Sequence, residues 1–425
     1  MGFVDEGYIF DTGEPFMRLY NNIAPLIDTQ LQPAYSVIIE ADNPLIAKVS
    51  LRLEDKRAVP IRLISRAESL GTTSQVKNVT CQDEIIYPDE MLIWSIPTNC
   101  SIVSWRIEFD EPEPSSVQPS QQRSLYMASE WWVISAPTSL LRIESHSSDI
   151  PVDILVSNRP AVKRTLRTIN APPNFYVLGP APENSSNTDK LKLTYFGEDL
   201  DTVSKVINPE KHKEAIRYFN SVIGAESARK VSELSVVWFG VPRERREVSG
   251  AAGYDTILAN FIIPEDKPKD EEQLMSLALV FHEQFHQLDS GSHPVWMGES
   301  LANYYALKAL KRLFPDNKSA DDIWNRFINA EHPTTMGLLD IEREISKDQN
   351  RQNYGLLYTQ GATFWSELDT AIQQYSSNDE SLDSFMPAMM NMNVGSDETS
   401  FSQIENLLSV IPTQKMKIIK TKYLG

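Results

Sequence analysis

The run His282-Glu283-Gln284-Phe285-His286, followed thirteen residues later by Glu299, constrains this chain more than any other feature. On an α-helix two histidines four apart lie on one face, so both imidazoles can grip one ion. In the H-E-x-x-H arrangement the histidines bind zinc and the intervening glutamate is the general base. Catalytic zinc takes three protein ligands and keeps a fourth position open, and a carboxylate from a following helix, Glu299, completes that set. Two neutral imidazoles and one carboxylate leave a charge of about +1 on the zinc site, enough to bring a water toward neutral pKa and to polarise a carbonyl. Glu283 directly follows a ligand and cannot easily join the same coordination sphere. It can reach the water, take its proton and deliver it to a leaving amine.

The flanks fit two packed helices. Asp270 is a candidate N-cap, with Gln273 three residues on. Leu274, Leu277, Ala278, Phe281, Phe285 and Leu288 recur at helical spacing as the buried stripe, with His282 and His286 at its edge. Gly291 reads as a stop, and Pro294 suits the first turn of a second helix running to about Leu313, with Glu299 in its second turn. Only 6 histidines occur in 425 residues, so a chance H-E-x-x-H is improbable.

His282 to His286 followed by Pro294-x-Trp296-x-x-Glu299-x-x-Ala302-x-Tyr304 resembles the gluzincin metallopeptidases, above all the peptidase MA-like group. The aminopeptidase N, leukotriene A4 hydrolase and glycyl aminopeptidase families share its logic. The resemblance spans about residues 230–375. It implies a thermolysin-like catalytic domain, one Zn2+ ion and hydrolysis of peptide bonds. Carried over by position, it makes His282, His286 and Glu299 the metal ligands and Glu283 the base. Tyr358-Thr359-Gln360-Gly361-Ala362 is similar to the segment that supplies a transition-state tyrosine in aminopeptidases of this clan. That implies a Tyr358 phenol donating to the oxyanion; simple helix packing with Tyr354 and Trp365 is the alternative.

The chain also departs from the family. Ser300 stands where glycine usually follows the third ligand. Asn303 stands where a carboxylate is frequent, though its amide oxygen can still accept a hydrogen bond from a metal-binding histidine. The glutamate that holds a substrate's free N-terminus is missing from Ser249-Gly250-Ala251-Ala252-Gly253-Tyr254-Asp255. Tyr254 to Ile263 is expected as the edge strand that pairs with an extended substrate. Gly250, Ala251, Ala252 and Gly253 would let a substrate backbone approach closely, or would form an ordinary turn.

The expected fold is multidomain α+β. A β-sandwich-like N-terminal domain covers residues 1–165, and a Pro-rich linker region covers 166–190. A thermolysin-like zinc-peptidase domain covers 191–425, with the zinc helices at about 270–313 and a mostly α-helical C-terminal part at about 320–425. Val49, Leu51 and Leu53, and Val103, Trp105, Ile107 and Phe109, alternate with polar residues as half-buried strands do. Asp110 to Gln122, rich in Pro, Ser and Gln, reads as an exposed loop.

A formal net charge of −18 argues against a nucleic-acid partner. No apolar run is long enough to span a membrane. Cys81 and Cys100 permit one disulfide, which would imply an exported (periplasmic or extracellular) protein; two buried thiols would fit a cytoplasmic one. The expected activity is zinc-dependent hydrolysis of a peptide or protein substrate, aminopeptidase-like by architecture. The alternative is a catalytically weak or inactive scaffold that binds peptides or a partner protein.

Overall fold

The computed structural model describes residues 9–12 and 33–425, apart from 41, 54–56, 68–70, 114–115, 128–130, 158, 170, 180–183, 189–190, 198–199, 225–230, 246, 266, 290–292, 330–335, 349, 393 and 396–397. From 34 to 178 the chain is dominated by strands whose alternation sets one face inward. Ile150–Val156 alternates buried and exposed residue by residue, and Ile46–Arg52 and Ile102–Glu108 turn every second side chain inward. They belong to a seven-stranded sheet. A three-stranded sheet of Arg142–Ile143, Ile61–Ile64 and Ile93–Ile96 shares its core, which includes Val37, Val49, Leu63, Ile96 and Trp105. Cys81 and Cys100 are disulfide-bonded beside that core, with Cα atoms 5.9 Å apart.

A small sheet of Phe175–Leu178, Trp131–Ser135 and Leu125–Met127 joins this region to the rest. Trp131–Ser135 is buried along its whole length because its two faces meet different partners. Trp132 and Ile134 enter the N-terminal core, while Trp131 and Val133 pack with Phe175 against Val237, Phe239, Ala251 and Leu258. Trp131 stacks on Phe239 with ring centroids 5.8 Å apart.

Those partners lie on a six-stranded sheet. Its strands in chain order are β1 (Ile9–Thr12), β2 (Asn184–Thr188), β3 (Leu191–Gly197), β4 (Glu233–Val241), β5 (Glu247–Ala252) and β6 (Thr256–Ile262). In space they run β1-β5-β6-β4-β3-β2, with β5 antiparallel to β6 and β1 parallel to β5. Both faces of the central strands are covered, which explains their continuous apolar sequences. Val236, Trp238, Ile257, Ala259 and Phe261 face the helices, and Val237, Phe239 and Leu258 face the small sheet. The 166–190 stretch carries strands at both Phe175–Leu178 and Asn184–Thr188.

Beyond residue 270 the described chain is helical. Five helices matter for the site: α1 (Pro209–Ile223), α2 (Asp270–Leu288), α3 (Val295–Leu313), α4 (Leu338–Asp348) and α5 (Leu356–Tyr375). The architecture is α+β with a helical C-terminal half. No helix among the described residues is long and apolar enough to cross a membrane.

Two expectations change. The strand Thr256–Ile262 is interior, not an edge, because every one of its residues is buried and both its flanks are paired. The Asp110–Gln122 loop is not simply exposed. Val117, Ser120 and Gln122 are buried, Val117 packs in the cluster containing Ala251, and Arg245 Nη1 donates to the Ser116 carbonyl at 3.2 Å.

Candidate metal centre

Helix α2 begins one residue differently from the sequence expectation. Lys269 is the N-cap, and its N–H donates to the Glu272 carboxylate at 3.3 Å, so Glu272 rather than Gln273 closes the first turn. Arg243 clamps the same carboxylate through Nε at 2.8 Å and Nη2 at 3.0 Å. Gly291 lies outside the described residues. Pro294 is the N-cap of α3 and offers no capping side chain. Glu342 of α4 takes that role, accepting the Trp296 N–H at 2.9 Å, where a carboxylate also complements the helix dipole.

These helices bring His282, His286 and Glu299 together in the interior. His282 Nε2 and His286 Nε2 are 3.0 Å apart, and Glu299 Oε2 is 3.4 Å and 3.6 Å from them. Atoms bound at about 2.0–2.1 Å in tetrahedral directions lie roughly 3.3 Å from one another. The observed triangle has that size, and it is the group of potential metal ligands found among the described residues. The donor set suits zinc: two imidazoles and one carboxylate, all three buried.

The local electrostatics favour a neutral His282 and an ionised Glu299. Burial pushes the His282 imidazole down to about 4, against the hydrogen bonds it gains from Glu299 and Asn303, so it is neutral. Burial alone would raise the Glu299 carboxyl. The pull of His286 and the hydrogen bonds from both imidazoles outweigh it and hold the group well below the usual carboxylate range.

Glu283 is fully buried one step along the same helix. It lies beneath β5, and Gly250 is what admits it: a Cβ built on Gly250 would stand 2.4 Å from Glu283 Oε1 and 2.7 Å from its Cγ. Ala251 turns to the opposite face and packs in the cluster of the small sheet. Gly253 ends the strand in a tight corner, where a Cβ would meet the Thr256 carbonyl at 2.6 Å and the Phe175 ring at 2.7 Å. Gly250 is thus the close-approach position of this run, and Gly253 is a packing position. Asp255 lies within electrostatic reach of Arg164 and Arg167 in the N-terminal β region, and burial raises its carboxyl despite them.

Asn303 joins three parts of the site. Its Nδ2 donates to the Tyr358 carbonyl at 2.6 Å, and its amide acts on the His282 imidazole, favouring the charged form. Tyr358 lies in the first turn of α5, its ring centroid 5.7 Å from that of His282. Ser300 meets Gly361: a Cβ on Gly361 would come within 2.4 Å of Ser300 Cβ. The close helix crossing that a glycine after Glu299 would give is supplied here from α5. Trp365 Nε1 donates to Ser300 Oγ at 2.7 Å and ties the same crossing.

Sequence reasoning treated Tyr354 as packing alone. Its phenol hydrogen-bonds the Glu299 carboxylate, and burial first, then that charge, raise its pKa well above the ordinary value. Its spacing of four from Tyr358 was the available signal. It was ambiguous because the two rings also pack together, 5.8 Å apart.

No protein-family model matches the sequence, and no curated protein matches it. Solved structures do match in fold. An aminopeptidase N family protein from Idiomarina loihiensis aligns with a TM-score of 0.68 at 12% identity, over 92% of this chain and 76% of its own. An M1 zinc metallopeptidase from Deinococcus radiodurans aligns with a TM-score of 0.51 at 10% identity, over 92% of each chain. A point mutant of a Deinococcus radiodurans M1 zinc metallopeptidase gives 0.52 at 10% identity, over 92% of this chain and 93% of its own. At these identities the chain shares their fold.

Proposed function

We propose that the chain is a zinc-dependent hydrolase of peptide bonds, with an extended substrate laid along β5. The observation that carries this reading is the His282–His286–Glu299 triangle, 3.0–3.6 Å on a side, with Glu283 lodged beside it under Gly250. The fold shared with zinc metallopeptidases supports it.

His282, His286 and Glu299 would hold the ion, which when bound supplies a Lewis acid and a readily ionised water. Glu283 would serve as the base that takes a proton from the attacking water and passes it to the departing amine. Its burial beneath β5 keeps bulk water from competing for the transfer. Tyr358 donates a hydrogen bond to the oxygen that gathers charge as the carbonyl is attacked. Asn303 orients His282, and Tyr354 orients Glu299. Ser249 to Gly253 carries no carboxylate for a terminal ammonium, and Asp255 faces the Arg164–Arg167 side. Both facts favour cuts within a chain over removal of its first residue.

Zinc-loaded protein is incubated with a peptide library and the products are weighed by mass spectrometry. We expect internal cuts, reduced at least about a thousandfold in Glu283→Gln, as loss of both proton transfers would dictate. Wild-type cleavage no greater than that of Glu283→Gln rejects the reading.

A further inference from the structure

The edge of β5 is already taken. β1 lies along it in parallel register, Ile9 opposite Glu247, Phe10 opposite Val248, Asp11 opposite Ser249 and Thr12 opposite Gly250. Across β5, its ladder to β6 covers Gly250 to Ala252. Nearer its start the place of the ladder is taken by a side chain, Asn260 Oδ1, which accepts the Ser249 N–H at 2.7 Å. The first half of β5 therefore has its strand partner in β1. The last pair in the register, Thr12 with Gly250, falls at the residue whose helix-facing side touches Glu283.

An edge strand offers a row of backbone donors and acceptors to any extended chain. Two chains cannot use the same row at once. A segment of the same chain meets this edge as an intramolecular partner, so a peptide in solution competes at a disadvantage.

We propose that β1 is a resident occupant of the peptide edge: the segment Ile9–Thr12 covers β5 beside Glu283, and an extended peptide reaches that edge only when β1 leaves. The proposal rests on the reading of β5 as the substrate strand. It makes the N-terminal segment a built-in competitor for the site.

The test uses Glu283→Gln protein and reads binding rather than turnover, so failure of the hydrolase reading leaves the measurement intact. A fluorescent synthetic peptide of residues 5–16 is titrated into the full chain and into the chain lacking residues 1–12. We expect at least tenfold tighter binding to the shortened chain. Bound peptide should also slow hydrogen exchange at amides 247–250. A second variant guards against misfolding of the shortened chain: proline at both Phe10 and Asp11 in the full chain. Alternate residues of a strand bond to the same side, so one of these two N–H groups faces β5 and is lost. This variant should bind the peptide as the shortened chain does. Equal affinity for full and opened chains, no binding to either, or binding without protection of 247–250 overturns the proposal.

Discussion

A strand of the N-terminal β region and the metal-site helix α2 bury their side chains by different rules. In the β region the strand Ile150–Val156 puts an apolar residue inside and its neighbour outside. In α2 every residue from Leu274 to Leu288 is buried, including Ser276, His282, Glu283, Gln284, His286 and Gln287. Burying a carboxylate costs several kcal/mol unless it is paired, so polar groups inside a helix of this kind need partners. Several of them are partnered: Gln284 Nε2 donates to Gln287 Oε1 at 2.7 Å, Gln287 Nε2 donates to the Tyr254 carbonyl at 3.1 Å, and His282 faces Glu299. The lesson is that this strand keeps its polar residue out, while α2 takes a run of polar groups in and has to partner them.

Metal removal should separate the halves most. A ligand at about a thousand times its Kd stabilises a protein by about 4 kcal/mol. Calorimetry with excess zinc and then with chelator should show a shift of that order. In a His282→Leu/Glu299→Met double variant the shift should vanish. Its metal-free form should be as stable as metal-free wild type or more so, because apolar replacements of a buried polar pair are often neutral or stabilising by about 1–4 kcal/mol. A zinc response that survives in the double variant would show that the buried pair is not where the ion acts.

Acid should come next. Burial lowers the His212 imidazole from 6.5 to about 4, although Gln284 hydrogen-bonds it; Tyr195 Oη lies 3.0 Å from its Nδ1. Between pH 6.5 and about 4 the unfolded chain takes up a proton that the folded chain refuses. Stability is therefore complete above that window and falls as pH drops through it, by up to about 3 kcal/mol for such a group. Urea unfolding of metal-free protein at a series of pH values reads this directly. His212→Phe should lower stability near neutrality, since Tyr195 and Gln284 lose a partner, and should flatten the acid slope. An unchanged slope would remove His212 from the account.

The same contrast governs what could be read in advance. The strands of the β region and the helices Asp270–Leu288 and Val295–Leu313 followed from periodicity and from one motif, because both signals are local in sequence. The edge was misplaced onto Thr256–Ile262, since a continuous apolar strand and an edge strand are told apart only by their neighbours. Three contacts had no local signature at all. Gly250 admits Glu283 across 33 residues, Val117 is buried against the sheet from a Pro- and Ser-rich loop, and Ile9–Thr12 pairs with a strand more than two hundred residues away. Ser300 looked like a defect because its compensation, Gly361, sits on another helix.

The smallest effect expected at the site belongs to Asn303, and it tests how far the polar burial of the helical half extends. Asn303 acts on the His282 imidazole and donates its Nδ2 to the Tyr358 carbonyl. Partners of this kind fix the tautomer and orientation of a ligating imidazole, and losing them typically costs about 10–100-fold in metal affinity. Asn303→Ala should weaken zinc binding by that factor, measured by competition with a chromophoric chelator. Asn303→Asp should keep the acceptor toward His282 but sets a carboxylate oxygen against the Tyr358 carbonyl. It should therefore recover zinc affinity more than it recovers the position of Tyr358. If alanine leaves the affinity unchanged, the polar design ends at the ligands, and α3 beyond Glu299 follows the same packing rule as the β region.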